Sequence, residues 1–450
     1  MALRFAPGEG RTYFPSRARS ESCIRSRAEM HLSKIFAENS GDYLRELQKN
    51  HTVNLPPGEQ LRENVLILPL RENPAYPVQK NAFLGGVCDR EGRFIAGSAV
   101  EEKRFSCPEG YPVDLETVTK RAETVIFGGV FYRHFGVMLL LSLTRFWWIV
   151  QKSVLPYRLV FLSEGDETGP AAGYCHAFME LLDIPKERYE ILREPALFDR
   201  VLVPDEVLRS IESGIDPHFM DPFRFLREKI SAEEGPCEER KLYLSRRHFS
   251  KTWEESDGLN EEYYEAFFEK RGFSVIHPEE LPLREQILLL ASASEIVSTY
   301  GTLSHLVSLF AKPGARQIML LRSALMDNWF PAEAAILQMC DLRWAIVEAV
   351  KNPFPVTHEL GVYLYAPTEH FRRYLDTENI PYEDEELRAG VSADMMKEFL
   401  QRWVECYRIP WNFRRLGDPS LFPVLEALYY HMTQKKLDPN DYLVPERKES

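Results

Sequence analysis

EIVSTYGTLSHLVSLFAKPGARQIMLL, residues 295–321, is the stretch on which the fold reading turns. An apolar run of strand length ends at Gly301. Hydroxyl and apolar residues at helical spacing follow over 302–311, and a second apolar run, RQIMLL (316–321), closes the unit. Strand, glycine turn, helix and strand make a βαβ unit. Its strands, buried on both faces, read as continuous apolar runs. Upstream the same rhythm holds through KLYLSRR (241–247), NEEYYEAFFEKRG (260–272), SVIHP (274–278) and LREQILLLASA (283–293). Asn260 is placed to cap the 260–272 helix, acids fill its first turn and Gly272 stops it. An earlier series runs through ENVLILPL (63–70), TVIFGGV (124–130), a helix over 134–150, RLVFLSEG (158–165), AAGYCHAFMELLDI (171–184), YEILRE (189–194) and RVLVP (200–204). SAEEGPCEER (231–240), acidic and carrying Gly235-Pro236, separates the two series as a linker.

The fold class expected is therefore α/β, two Rossmann-like doubly wound sheets facing a cleft. The domain reading is an N-terminal arm over 1–60, partly irregular, a first domain over 61–230, a second over 231–330, and a mainly helical extension over 331–450. Within that extension GVYLYAP (361–367) reads as a strand among helices near 369–376, 392–407 and 420–436.

The 450 residues are 44% hydrophobic and 27% charged, the proportions of a globular enzyme, and too many for one ordinary core. Against 55 basic residues stand 68 acidic ones, a net charge of −13. That balance lacks the footprint of a nucleic-acid binder, so no nucleic-acid partner is expected. Seven cysteines, odd in number and without a CxxC pair, argue against a zinc site of standard spacing and a disulfide framework, and fit a reducing compartment. No apolar segment behind a basic start suggests a secretory signal. FGVMLLLSLTRFWWIV (135–150) is near the lower limit for a membrane span and contains Arg145; it reads as a helix buried on nearly every face or, alternatively, a membrane-inserted segment. GxxxxGK[ST], GxSxG, HExxH and DxD are all missing, which removes the usual support for P-loop kinases, serine hydrolases, HExxH zinc peptidases and DxD sugar transferases.

Four places carry candidate chemistry. The turn at Gly301, with Thr302, Ser304 and His305 opening a helix, offers free N–H groups and a helix dipole to an anion such as a diphosphate, or is an ordinary N-cap. Arg246 and Arg247 end a strand on the same predicted sheet edge, where an arginine pairs with a phosphate by two parallel bonds or stays a solvated charge. Glu261 and Glu262 open a helix, to hold ribose hydroxyls or to complement its dipole. In the first series His134 precedes the long apolar helix, as a general base or as a cap.

These strings together resemble glycosyltransferase family 61. TVIFGGVFYRHFGVMLLLSLTRFWW is similar to the family's HFGHFLLE-S-L-x-R-like segment. KLYLSRR, the Asn260-Glu261 pair, GFSVIHPEELPLREQ and the Gly301–His305 turn follow in the family's order, so that the resemblance covers about residues 120–325. It implies a GT-B architecture, with an acceptor-side first domain and a nucleotide-sugar second domain. It also implies inverting transfer from a nucleotide sugar, usually a UDP-sugar, to a glycan. Arg246, Glu261, Gln286, Gly301, Thr302 and His305 carry over from the second half, and His134, Gly136, Ser142 and Arg145 from the first. Val137 stands where the family often has a second histidine and Leu141 where it often has an acid. If that acid is the base elsewhere, this chain uses another group, such as His134, or is a catalytically silent scaffold that binds a glycan or partner enzyme. With no DxD motif, no divalent metal and no other cofactor is expected. Surface-polysaccharide assembly in the cytoplasm is the setting implied, which leaves room for peripheral contact with the inner face of a membrane.

Overall fold

The computed structural model describes residues 34–53, 57–73, 83–95, 98, 110–152, 157–165, 168–208, 214–235, 239–249, 257–323, 326, 329–351, 362–388, 391–407 and 422–434. The first 33 residues of the arm and residues 236–238 of the linker lie outside them. In chain order the strands are β1 (Ile35–Phe36), β2 (Glu59–Glu72), β3 (Phe83–Cys88), β4 (Thr119–Phe131), β5 (Arg158–Ser163), β6 (Tyr189–Ile191), β7 (Ala196–Pro204), β8 (Arg240–Leu244), β9 (Asp257–Leu259), β10 (Ser274–Ile276), β11 (Ala293–Thr299), β12 (Arg316–Leu321), β13 (Arg343–Glu348) and β14 (Val362–Leu364).

They form two six-stranded sheets, ordered β3-β2-β7-β4-β5-β6 and β1-β13-β12-β11-β8-β10, with β9 and β14 as a separate pair. The second sheet is parallel throughout. Its strands bury both faces: on β12, Ile318 and Leu320 join one core cluster while Met319 and Leu321 join another. That two-sided burial explains the unbroken apolar run RQIMLL. The first sheet is mixed, because β2 runs antiparallel to both β3 and β7. The α/β class holds.

The structure refines the sequence reading in three places. Within the partly irregular 1–60 arm, residues 35–48 are regular: β1 pairs in parallel with β13 of the second sheet, and the Ser40–Gln48 helix packs beside it. A strand of two residues has no period to read. The second sheet also does not end near 330, since the Phe330–Met339 helix and β13 complete it inside the region read as a helical extension. A six-residue apolar run such as RWAIVE cannot be told from part of a helix by period alone. Finally, the helix expected over 134–150 is broken into a turn at Phe135–Val137, a π-helical turn at Met138–Ser142 and a helix at Phe146–Gln151. Ser142 Oγ accepts the Tyr132 N–H and Thr144 Oγ1 donates to the Leu141 carbonyl, hydroxyl bonds that compete with the regular helix ladder.

That segment lies in the core, with Met138, Leu139, Leu143 and Phe146 fully buried. Among the described residues no helix is long and apolar enough to cross a membrane. Cys88, Cys175 and Cys340 are free thiols. One apolar cluster runs from β4 and β5 of the first sheet through the Asp221–Glu234 helix to Leu242, Ile287, Ile296 and Leu306 of the second. The two sheets therefore share a core.

Candidate active site

The second sheet changes direction beside β8. The chain leaves β8 for β10 on one side and then crosses to β11 on the other. Ligands of open α/β sheets bind at such a switch point, outside the carboxyl ends of the strands. Leu244 pairs in register with Ser298, so β8 and β11 end side by side. The residues leaving them are Ser245-Arg246-Arg247 and Tyr300-Gly301-Thr302.

The Glu261–Glu269 helix clamps the β8 exit. Glu261 accepts the Arg246 N–H with both carboxylate oxygens, at 3.1 and 3.2 Å. Glu265 accepts from Ser245 Oγ and from the Arg247 guanidinium, each at 2.7 Å. The paired arginines thus separate. Arg247 is held by Glu265, whereas the Arg246 guanidinium has no carboxylate within ion-pair distance among the described residues and lies 5.3 Å over the Phe249 ring. Glu261 itself turns inward and is 4% exposed, beneath Arg246 rather than open to a ribose. Burial pushes its carboxyl up to about 7, against the pull of the Arg246 N–H and charge. Asn260 does not cap the helix with its side chain: in the left-handed conformation (φ 67°), it donates Nδ2 to the Tyr365 carbonyl at 2.9 Å.

Gly301 has φ 116° and ψ −140°, a conformation open in practice only to glycine. A Cβ there would also stand 2.7 Å from Nη2 of Arg322. The Thr302–Phe310 helix starts immediately after it, and Ser304 Oγ accepts the Gly301 N–H at 3.0 Å. His305 is buried, with Nδ1 2.6 Å from Oε2 of Glu333, which is fully buried. The carboxyl edge of the second sheet thus carries Arg246, the Gly301 helix start and Arg322.

The first sheet meets this edge from the other side. At the exit of β4, His134 is exposed, and its Nδ1 accepts the Val137 N–H at 3.4 Å as the cap of the following turn. Gly136 lies so close to the second sheet that a Cβ on it would be 2.5 Å from Thr302 Oγ1 and 3.3 Å from the His134 ring. His134 and Thr302, 168 positions apart by their numbering, are therefore neighbours across the junction.

The other two sequence candidates lie elsewhere. Arg145 is buried in the first sheet, donating Nε to the Pro204 carbonyl at 2.9 Å and pairing with Glu206. Gln286 uses Nε2 to tie the loop after β10, donating at 2.8 Å to the carbonyls of both Pro278 and Leu281. Sequence reasoning missed Arg322 and Glu333. Arg322 follows the strand RQIMLL as Arg246 follows KLYL, so the rule that singled out one arginine was sufficient to find the other. Nothing marks Glu333 inside FPAEAAILQM as more than a solvated helix acid.

Residues 143–318 match the family model described as Glycosyltransferase 61. The matched segment contains Arg145, Arg246, Glu261, Gln286 and the whole Gly301–His305 turn; His134, Arg322 and Glu333 lie outside it. No curated protein matches the chain.

Proposed function

We propose, on the premise that this chain is a member of the glycosyltransferase 61 family by its residues 143–318, that it is an inverting transferase moving a sugar from a nucleotide sugar, a UDP-sugar by family resemblance, to a glycan acceptor. The observation that carries the reading is the split fate of the two β8 arginines. Glu265 pairs with Arg247, whereas the Arg246 guanidinium has no carboxylate within ion-pair distance among the described residues, on a strand that ends next to the one leading into the Thr302 helix start, the arrangement that suits a diphosphate. The GT-B arrangement belongs to this proposal, supported by the approach of the β4 and β11 exits at Gly136 and Thr302.

In the proposed reaction His134 takes the proton of an acceptor hydroxyl. The hydroxyl oxygen attacks the anomeric carbon from the face opposite the diphosphate. The bond from that carbon to the phosphate oxygen breaks, and the nucleoside diphosphate leaves with the electron pair. Arg246, Arg322 and the Thr302 helix start stabilise its charge, so no divalent ion is required. His134 Nδ1 accepts the Val137 N–H at 3.4 Å, a contact long enough to be exchanged for a substrate proton. Assembly of a surface polysaccharide in the cytoplasm, with peripheral membrane contact, is the setting that goes with this reading.

Val137 and Leu141 support a second reading. Both are buried and apolar, so neither supplies a polar group to the site, and a silent scaffold that binds a glycan or partner enzyme follows if His134 is only a cap. One set of measurements separates the two. The transferase reading expects turnover of a UDP-sugar that survives EDTA. It also expects a loss of about 10²–10⁴-fold in His134→Ala with donor affinity retained. Lowered melting temperature with unchanged turnover in that variant removes the base assignment, and silence toward every donor with intact glycan binding favours the scaffold.

A further inference from the structure

We infer that Glu333 is a positioning residue for the diphosphate site, acting through His305 and Ser304. The inference rests on the reading that the Gly301–Thr302 helix start receives the donor diphosphate. Glu333 projects from the Phe330–Met339 helix and is 0% exposed. A carboxylate so buried needs donors on its oxygens. Among the described residues its side-chain partners lie on the Thr302–Phe310 helix: Ser304 Oγ at 2.9 Å, Ser308 Oγ at 2.6 Å and His305 Nδ1 at 2.6 Å. One acidic side chain thus grips the first two turns of the helix that would face the ligand.

Counting protons sharpens the role. Ser304 Oγ receives the Gly301 N–H and has one proton for two acceptors, the Gly301 carbonyl at 2.8 Å and Glu333. Ser308 Oγ has one proton for Glu333 and for Gln317 Oε1, also at 2.8 Å. Two hydroxyl protons therefore serve four acceptor contacts. A further proton between His305 Nδ1 and Glu333 Oε2 relieves the shortage. The present geometry puts these atoms in ion-pair contact but outside a directed hydrogen bond. A neutral ring with its proton on Nδ1 fills that role, so Glu333 fixes the position of His305 in the first turn of the helix. The same carboxylate keeps Ser304 on the Gly301 N–H and so holds the turn. Neither effect requires Glu333 to touch a substrate.

The test is calorimetric titration of the full chain with UDP and GDP, and with uridine and guanosine. Glu333→Gln preserves the shape and removes the charge. The expected result is a melting temperature near wild type, about tenfold weaker binding of the diphosphate, and nucleoside binding changed by less than about twofold. His305→Asn should show the same selective loss, and the double variant should be no worse than His305→Asn alone. His305→Asn also keeps the inference open to test if Glu333→Gln fails to fold. Unchanged diphosphate affinity in the folded variants, or equal weakening of diphosphate and nucleoside, overturns the inference while leaving the site reading intact. A wild-type protein that binds neither diphosphate overturns both.

Discussion

Arg246 and Arg247 show how little a residue's identity says without its neighbours. Both are arginines at one strand end, yet among the described residues only Arg247 has a carboxylate within ion-pair distance, Glu265 at 2.7 Å. Arg246→Ala should cost about 2–4 kcal/mol of transition-state stabilisation, with Lys recovering part of it because the bidentate fork is lost. Arg247→Ala should cost about 1 kcal/mol or less of transition-state stabilisation, because its guanidinium is already held by Glu265. Comparing kcat/KM across the variants checks both, and wild-type turnover in Arg246→Ala removes that residue from the site. Glu261 yields a pH prediction. Its carboxyl is raised from 4.5 to about 7, chiefly by burial, so the folded protein binds more protons than the unfolded chain between those values. The group's stabilising contribution is complete below about pH 4.5 and is lost as pH rises through about 7, with a span of about 3 kcal/mol. Glu261→Gln cannot titrate. Its stability relative to wild type should therefore rise between pH 5 and pH 8, and a constant difference in denaturation midpoints across that range would exclude the assignment.

At the scale of elements the decisive contact is between two turns. Gly136 lies in the turn after β4 and Thr302 opens the helix after β11, and a methyl on the glycine would stand 2.5 Å from the threonine hydroxyl. Gly136→Ala should destabilise by about 1–3 kcal/mol through overpacking, and removing Thr302 Oγ1 in a Gly136→Ala, Thr302→Ala double variant should return much of it. Thermal melts of the two single variants and the double variant check the coupling. Additive effects would mean that the turns do not meet. The broken 134–150 segment belongs to this scale too. Its composition reads as one apolar helix, but the hydroxyls of Ser142 and Thr144 and the inward pairing of Arg145 with Glu206 accompany three short pieces, the first of which carries His134 to the junction.

For the molecule as a whole, one apolar cluster joins β4 and β5 to the helices and strands of the second sheet. Domains that share a core unfold together. Calorimetry and tryptophan fluorescence should therefore give one coincident transition, and two separated transitions would contradict a shared core. The division of labour between sequence and tertiary structure follows from range. Apolar runs, glycine stops and helical spacing act over a few residues. They sufficed to read most strands of both sheets, though not β3 (Phe83–Cys88), and also the α/β class and the strand ends carrying Arg246 and Gly301. Strands too short to show a period, such as β1, or flanked by helical text, such as β13, were not legible. Nor were properties set by distant partners: the inward turn of Glu261, the burial of Arg145, the approach of His134 to Thr302, and the burial of Glu333 against Ser304, His305 and Ser308. Residue type and spacing set which groups can ionise or donate. Packing alone decides which of them lose water and which partner meets them when they do.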